Sequence, residues 1–242
     1  MLRFGGIGGA RHLLRVVPLA GGAPVDVMLR RNPRARRLVL SIDPADAAPA
    51  LVIPPFVSIG EAQAFLDSRR AWLFSRLAAA PQRIPFLDGA SIPYRGETLT
   101  IRRHPGSRGA TIGEDGALLV GGRPEHLARR VTDWLKAEAR RGFAISAAAK
   151  APLIDRPTPR VAVRDPRRQW GSCSADGVLR LSWRLVMAPV PVIDYVVAHE
   201  VAHLVEMNHS HDFWAVVARL TPHMATARIW LRRHGQTLLR YG

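Results

Sequence analysis

Apolar and polar residues alternate with a period of two in several short segments near the start of the chain. These segments are VDVMLR from Val25, LVLSID from Leu38 and ALVIPP from Ala50. Such alternation sends successive side chains to opposite faces, which is typical of strands in a half-buried sheet. Residues 86–122 also favour strands, with Gly-rich turns between them. The pattern therefore predicts a small antiparallel sheet followed by a second β-rich stretch.

Helical periodicity separates and follows these strands. Ser58 and Glu61 have the spacing of a capping box, which predicts one helix running to about Leu77. In the second half, RRQWGSCS and VLRLSWRLV flank a turn and predict a β-hairpin, preceded by the short strand VAVRD. The remaining predicted helices are about Glu125 to Ala149, VIDYVVAHEVAHLVEM (192–207), HDFWAVVARL after the cap Ser210, and about Met224 to His234.

This succession of strands and helices indicates an α+β fold. We expect a flexible N-terminal extension over residues 1–22 and an antiparallel, β-rich subdomain with one helix over 23–122. A C-terminal domain over 123–242 then contains the hairpin and most of the helices. The pattern does not indicate an oligomeric state.

Charge and cysteine content narrow the class of protein. The 242 residues include 35 Lys and Arg against 19 Asp and Glu, a net charge of +16. A basic surface can attract a nucleic acid or another polyanion, for instance at the arginines between Arg30 and Arg37, although their scatter favours a compositional bias. The single cysteine, Cys173, fits a reducing, cytoplasmic setting. No segment approaches the ~18 apolar residues of a membrane-spanning helix, so we expect no membrane partner.

The chemistry of the chain is concentrated in the segment His199-Glu200-Val201-Ala202-His203. Residues four apart lie on one face of a helix, so the two imidazoles can reach one metal ion. Glu200 beside them can accept a proton from a metal-bound water, which is the arrangement of an H-E-x-x-H zinc site. The flanking residues form a continuous apolar helix, where unpaired polar groups would be costly.

A third ligand is available nearby. His209 lies six residues after His203, and it can share the ion only if the chain turns back, for which Asn208 tolerates a left-handed conformation. Glu206 competes with it, because it lies three residues after His203 and could bind the ion or orient a ligand.

Three blocks of sequence, RRQWGSCSADGVLRLSWRL, IDYVVAHEVAHLVEMNHSHDFW and RNPRARRLVLSID, resemble the YgjP-like zinc metallopeptidases, relatives of the SprT-like and WLM proteases. The likeness covers about residues 25–240 and implies a zincin-like C-terminal catalytic domain. It also implies that one Zn²⁺ is bound by His199, His203 and His209, and that Glu200 is the general base.

Two positions depart from the family pattern without touching these residues. Met207 stands where proline is common, and Ser182 stands where asparagine is common in the hairpin. Glu206 replaces the glycine that metzincins have at that position, which separates this chain from metzincins.

The resulting hypothesis is a zinc-dependent metallopeptidase that acts on peptide or protein substrates. One alternative keeps the metal and hydrolyses nucleotide phosphoanhydrides, and another is a basic, nucleic-acid-associated module with a structural zinc. Cys173 as a nucleophile and Tyr195 as an oxyanion donor are minor options beside simple packing roles.

Overall fold

A computed structural model describes residues 12–17, 23–43, 47–79, 82–166 and 169–242. Within these residues, eleven strands form three small sheets, accompanied by six α-helices, so the predicted mixture of helices and sheets is confirmed. The chain forms two compact units, the first ending at Gln82 and the second covering Arg83–Gly242.

The first unit has one sheet and two helices. Its sheet has the order β1-β2-β4-β3, and the central β2–β4 pair is parallel, so the predicted antiparallel sheet is in fact mixed. The elements are β1 (His12–Val16), β2 (Val25–Arg31), β3 (Val39–Ile42), β4 (Pro49–Ile53), α1 (Ile59–Ser68) and α2 (Arg70–Ala78).

Strand β1 lies within the stretch that the pattern assigned to a flexible extension. It pairs antiparallel with β2 from His12 to Val16, because Leu14 and Val16 add apolar side chains to the core of this unit. Residues 1–11 and 18–22 of the predicted extension lie outside the described residues.

The predicted capping box is confirmed at the start of α1. The Ser58 hydroxyl accepts a hydrogen bond from the Glu61 amide at 3.2 Å, and the Glu61 carboxylate accepts one from the Ser58 amide at 2.8 Å. The single predicted helix is wrong, because the chain breaks at Arg69. The Ser68 hydroxyl donates to the Phe65 carbonyl at 2.7 Å, a local bond that competes with helical pairing at this point.

The second unit contains two sheets. One has the order β5-β6-β8-β7 and the other β10-β11-β9, in which β10 and β11 form the predicted antiparallel hairpin. The strands are β5 (Ser91–Tyr94), β6 (Glu97–Arg103), β7 (Ala110–Ile112), β8 (Leu118–Val120), β9 (Val161–Arg164), β10 (Gly171–Cys173) and β11 (Leu179–Ser182). The helices are α3 (Leu127–Lys150), α4 (Val190–Ala202), α5 (His211–Leu220) and α6 (Met224–Leu238).

Helix α3 organises the core of the second unit. One of its faces is buried at intervals of four residues, at Val131, Leu135, Ala139, Phe143 and Ala147. This face packs against strands of both sheets and against α4. Because β5 to β8 share this core, the chain divides after Gln82, well before the boundary expected at 122.

A buried ion pair fixes α4 against the end of α3. The Lys150 ammonium donates to the Asp194 carboxylate at 2.6 Å and to the Leu220 carbonyl at 2.8 Å. The Thr221 hydroxyl donates to the other oxygen of Asp194 at 2.5 Å. These bonds join α3, α4 and the end of α5 at the opposite end of α4 from the candidate site.

Candidate metal centre

The end of α4 carries the H-E-x-x-H segment. His199 and Glu200 lie in the last turn of the helix, and His203 is its C-cap residue. The helix was expected to continue to Met207, but it ends at Ala202. The amide of Glu206 still bonds to the Ala202 carbonyl at 3.0 Å, so the chain turns sharply where the helix stops.

The turn that follows α4 therefore begins earlier than predicted, and different hydrogen bonds stabilise it. Asn208 is not among the non-glycine residues with positive φ, so the expected left-handed turn there is wrong. Instead, the Ser210 amide bonds to the Asn208 carbonyl at 2.8 Å, and the Ser210 hydroxyl caps α5 by accepting from the Phe213 amide at 3.2 Å. His209 lies within this turn, between Asn208 and Ser210.

The turn brings His199, His203 and His209 together. One ring nitrogen from each lies within 4.8 Å of the others, and the Nε2 atoms of His199 and His209 are 3.1 Å apart. Two nitrogens bound to one tetrahedral zinc at 2.0–2.1 Å are separated by about 3.3 Å. The spacing and the donor type therefore fit a zinc ion.

Backbone and aromatic contacts orient these rings. Nδ1 of His203 lies 2.9 Å from the Glu206 carbonyl oxygen, which favours a proton on Nδ1 and leaves Nε2 as the electron-pair donor. The fully buried Phe213 ring lies 4.6–4.9 Å from all three imidazoles. Glu206 thus contributes a carbonyl group, and its carboxylate is not part of the cluster found among the described residues.

Burial keeps the histidines in the form that binds metals. Together with the neighbouring His203, His209 and Arg228, whose contributions are smaller, it lowers the pKa of His199 to about 4. Burial also lowers the pKa of His203. Both rings are therefore neutral at pH 7, with a lone pair free for a cation.

Glu200 is the most isolated acidic group of the site. It is 5% exposed, and burial raises its pKa to about 7. No hydrogen bond or ion pair to its carboxylate is found among the described residues, unlike the other buried charges of this unit. The carboxylate can therefore gain and lose a proton near neutral pH.

Gly171, the first residue of β10, sets the position of Glu200. A Cβ atom at this position would lie 2.5 Å from Oε1 of Glu200 and 2.7 Å from its Cδ. Only glycine lets the strand approach the carboxylate so closely. Sequence reasoning missed this role, although a glycine inside a strand is a signal of close backbone approach.

A family model for the YgjP-like metallopeptidase domain matches residues 36–234. The chain belongs to the YgjP-like metallopeptidase family. The match contains the WGSCS, HEVAH and NHS segments and covers parts of both units, so the resemblance seen in the sequence is confirmed. Comparisons with curated proteins and with solved structures found no match.

Membership of the YgjP-like family supports a metallopeptidase and implies a metal, usually zinc. The three imidazoles at the end of α4 fit such an ion in donor type and spacing. None of the described helices has both the length and the apolar character that crossing a bilayer requires.

Cys173 and Tyr195, the sequence candidates for a nucleophile and an oxyanion donor, lie beside this YgjP-like site, and both favour their protonated, less reactive forms. Burial raises the pKa of Cys173 on β10, and the nearby Glu200 raises it further, which favours the unreactive thiol. Tyr195 is 6% exposed and packs edge-on against His199, with 6.0 Å between ring centroids. Burial raises the pKa of its hydroxyl as well.

The arginine-rich segment of the first unit is partly structural. Nη1 of Arg31 donates to the carbonyls of Pro54, Pro55 and Val57 at 3.2, 2.6 and 2.8 Å. This side chain therefore holds the loop before α1.

Proposed function

We propose that this chain is a zinc-dependent peptidase in which His199, His203 and His209 hold one Zn²⁺ and Glu200 is the general base. The observation that carries the proposal is the convergence of three imidazole nitrogens within 4.8 Å, next to a buried carboxylate that has no partner among the described residues. Structural zinc sites have four protein ligands, whereas the cluster found among these residues has three, which supports an open position for chemistry.

Zinc held in this way supplies Lewis-acid chemistry, since it polarises a carbonyl and lowers the pKa of water toward ~7. Glu200 accepts the proton of the attacking water on its carboxylate. It then delivers that proton to the amine nitrogen that leaves.

An extended peptide has a natural binding surface at β10. This strand lies at the edge of its sheet, so the backbone groups on its outer side have no neighbouring strand among the described residues. Gly171 places the same strand directly against Glu200. A substrate chain that pairs with β10 would therefore pass the general base, and such pairing recognises backbone more than side chains.

Hydrolysis of nucleotide phosphoanhydrides is the weaker alternative. Phosphate chains are usually held by several converging cations. Among the described residues, Arg228 is the single arginine whose charge acts on His199. A peptide carbonyl, which develops one negative charge in the reaction, suits that environment better.

The decisive test compares wild type with Glu200→Gln, which keeps the size of the side chain and removes its basicity. Zinc content should be unchanged, while the hydrolysis of unfolded casein should fall by about 10²–10⁴-fold. Glu206→Gln is the matched control, because only its backbone carbonyl contacts the site, and it should keep full activity. Nucleoside triphosphates assayed alongside distinguish the two substrate classes. Full casein hydrolysis by Glu200→Gln, or loss of its zinc, would contradict the proposal.

A further inference from the structure

Arg228 lies beside the three-histidine cluster without an acidic partner among the described residues. It is an exposed residue of α6, and its Cζ lies 5.1 Å from the centre of the Trp214 ring. That ring lies 5.8 Å from the rings of both His199 and His209. Within the part of the chain that the structure describes, Arg228 forms no ion pair.

The Trp214 ring connects Arg228 to the cluster. The guanidinium packs on this ring, and the same ring packs beside the imidazoles of His199 and His209. A guanidinium over an aromatic face also keeps N–H donors at its edge for another acceptor.

A cation beside a site for a divalent metal adds repulsion, which solvent partly screens because Arg228 is exposed. A negative charge between Arg228 and the metal position would relieve it. The contact with Trp214 places the guanidinium next to the cluster, where it can meet such a charge.

We propose that Arg228 holds the oxyanion that forms when water adds to the scissile carbonyl, an inference that rests on the proposed peptidase function. As the water oxygen bonds to the carbonyl carbon, the π electron pair moves to the carbonyl oxygen and Glu200 takes the proton of the water. Arg228 donates a hydrogen bond to this oxyanion. The pair then re-forms the C=O bond, the C–N bond breaks, and the proton of Glu200 passes to the amine.

Tyr195 is the other donor near the cluster, and the structure favours Arg228 over it. Tyr195 is only 6% exposed, whereas Arg228, which packs on the Trp214 ring, is exposed to solvent and accessible to a substrate. Arg228 also carries a full charge, and hydrogen bonds from charged donors are about twice as strong as neutral ones. Tyr195→Phe should therefore retain most of the activity.

The test uses the full-length zinc protein with Arg228→Ala, Arg228→Lys and the control Arg233→Ala on another face of α6. Three quantities are measured: kcat and KM for an unfolded peptide, the Kd of a peptide phosphonate that mimics the tetrahedral anion, and the zinc affinity by chelator competition. Arg228→Ala should lower kcat by about 10²–10³-fold and weaken phosphonate binding by a similar factor. Zinc affinity and KM should change little. Arg228→Lys should restore part of the loss, and Arg233→Ala should match wild type.

Three results would overturn the role of Arg228: a raised KM with unchanged kcat, unchanged phosphonate binding, or loss of zinc in Arg228→Ala. The first indicates equal binding of ground and transition states. Should the wild-type protein cleave no peptide, the proposed function fails by itself. Phosphonate binding then decides the anion-holding role alone, and equal Kd values for wild type and Arg228→Ala would reject it.

Discussion

The two ends of α4 each contain an acidic side chain, and their surroundings are opposite. Asp194, near the start of the helix, receives hydrogen bonds from Lys150 at 2.6 Å and Thr221 at 2.5 Å. Glu200, in the last turn, is more deeply buried and lacks a comparable partner among the described residues. A paired carboxylate fastens helices together, whereas an isolated one costs stability. The unpaired group is therefore the one to which we assign chemistry.

The paired end should show the largest loss of stability. Lys150→Met leaves the Asp194 carboxylate and the Leu220 carbonyl without their donor, and it should lower the free energy of unfolding by about 3 kcal/mol in guanidinium titrations. Lys136→Met, on the same helix and without an ion pair to any described residue, should change it by less than about 0.5 kcal/mol. Equal effects of the two substitutions would show that the buried ion pair between Lys150 and Asp194 does not stabilise the fold.

The unpaired Glu200 should make the stability of the protein depend on pH. In the metal-free protein the pKa of Glu200 is about 7 when the chain is folded, against 4.5 for a glutamate open to water, as in the unfolded chain. The contribution of Glu200 to the free energy of unfolding is therefore fully present below pH 4.5 and is lost as the pH rises through 7. Glu200→Gln removes that dependence. Between pH 4.5 and 8, wild type should lose about 3 kcal/mol relative to the variant. Parallel stability curves for the two proteins would show that the carboxylate is not strained by burial.

Gly171 offers a way to disturb Glu200 without changing it. In Gly171→Ala the new methyl group collides with the carboxylate, which should cost about 1–3 kcal/mol in stability and about 10²-fold in peptide hydrolysis. Gly109→Ala is the control, because nothing lies within 4 Å of its added Cβ. Unchanged turnover in Gly171→Ala would mean that the contact between β10 and Glu200 does not position the base.

The smallest effect is expected where α5 begins, next to His209. Ser210→Ala removes the side-chain cap and should lower stability by about 1 kcal/mol, with weaker zinc binding because His209 precedes the cap. Ser146→Ala, within α3, removes a hydroxyl that forms no side-chain hydrogen bond in the described part of the chain, and it should change stability by less than about 0.5 kcal/mol. A Ser210→Ala protein as stable as wild type would indicate that packing of Phe213 alone holds this segment.

Local patterns predicted much of the fold, and long-range contacts account for most of the errors. Capping at Ser58 and Ser210 and the β10–β11 hairpin depend on neighbouring residues, and these predictions are confirmed. The parallel β2–β4 pair joins segments that are distant in the chain, which periodicity cannot detect. The division of the chain after Gln82 is equally hidden from local patterns, because the core shared by α3 and strands β5 to β8 arises only on folding.

The same distinction holds at the site. The spacing of His199, Glu200 and His203 follows from one helix, and the structure brings His209 into the same cluster. The groups that orient and surround them come from elsewhere in the chain: the Glu206 carbonyl, Gly171 of β10 and Arg228 of α6. A backbone carbonyl, a glycine and an arginine are not part of any metal-binding sequence motif, so only the folded structure reveals their place at the site.

The central claim, that three imidazoles bind one metal ion, is tested most directly by the zinc content of untagged protein. We expect about one zinc per chain in wild type and in Glu206→Ala, and zinc-free protein for His209→Ala with its fold intact by circular dichroism. Wild-type zinc in His209→Ala, together with loss of zinc in Glu206→Ala, would contradict the assignment.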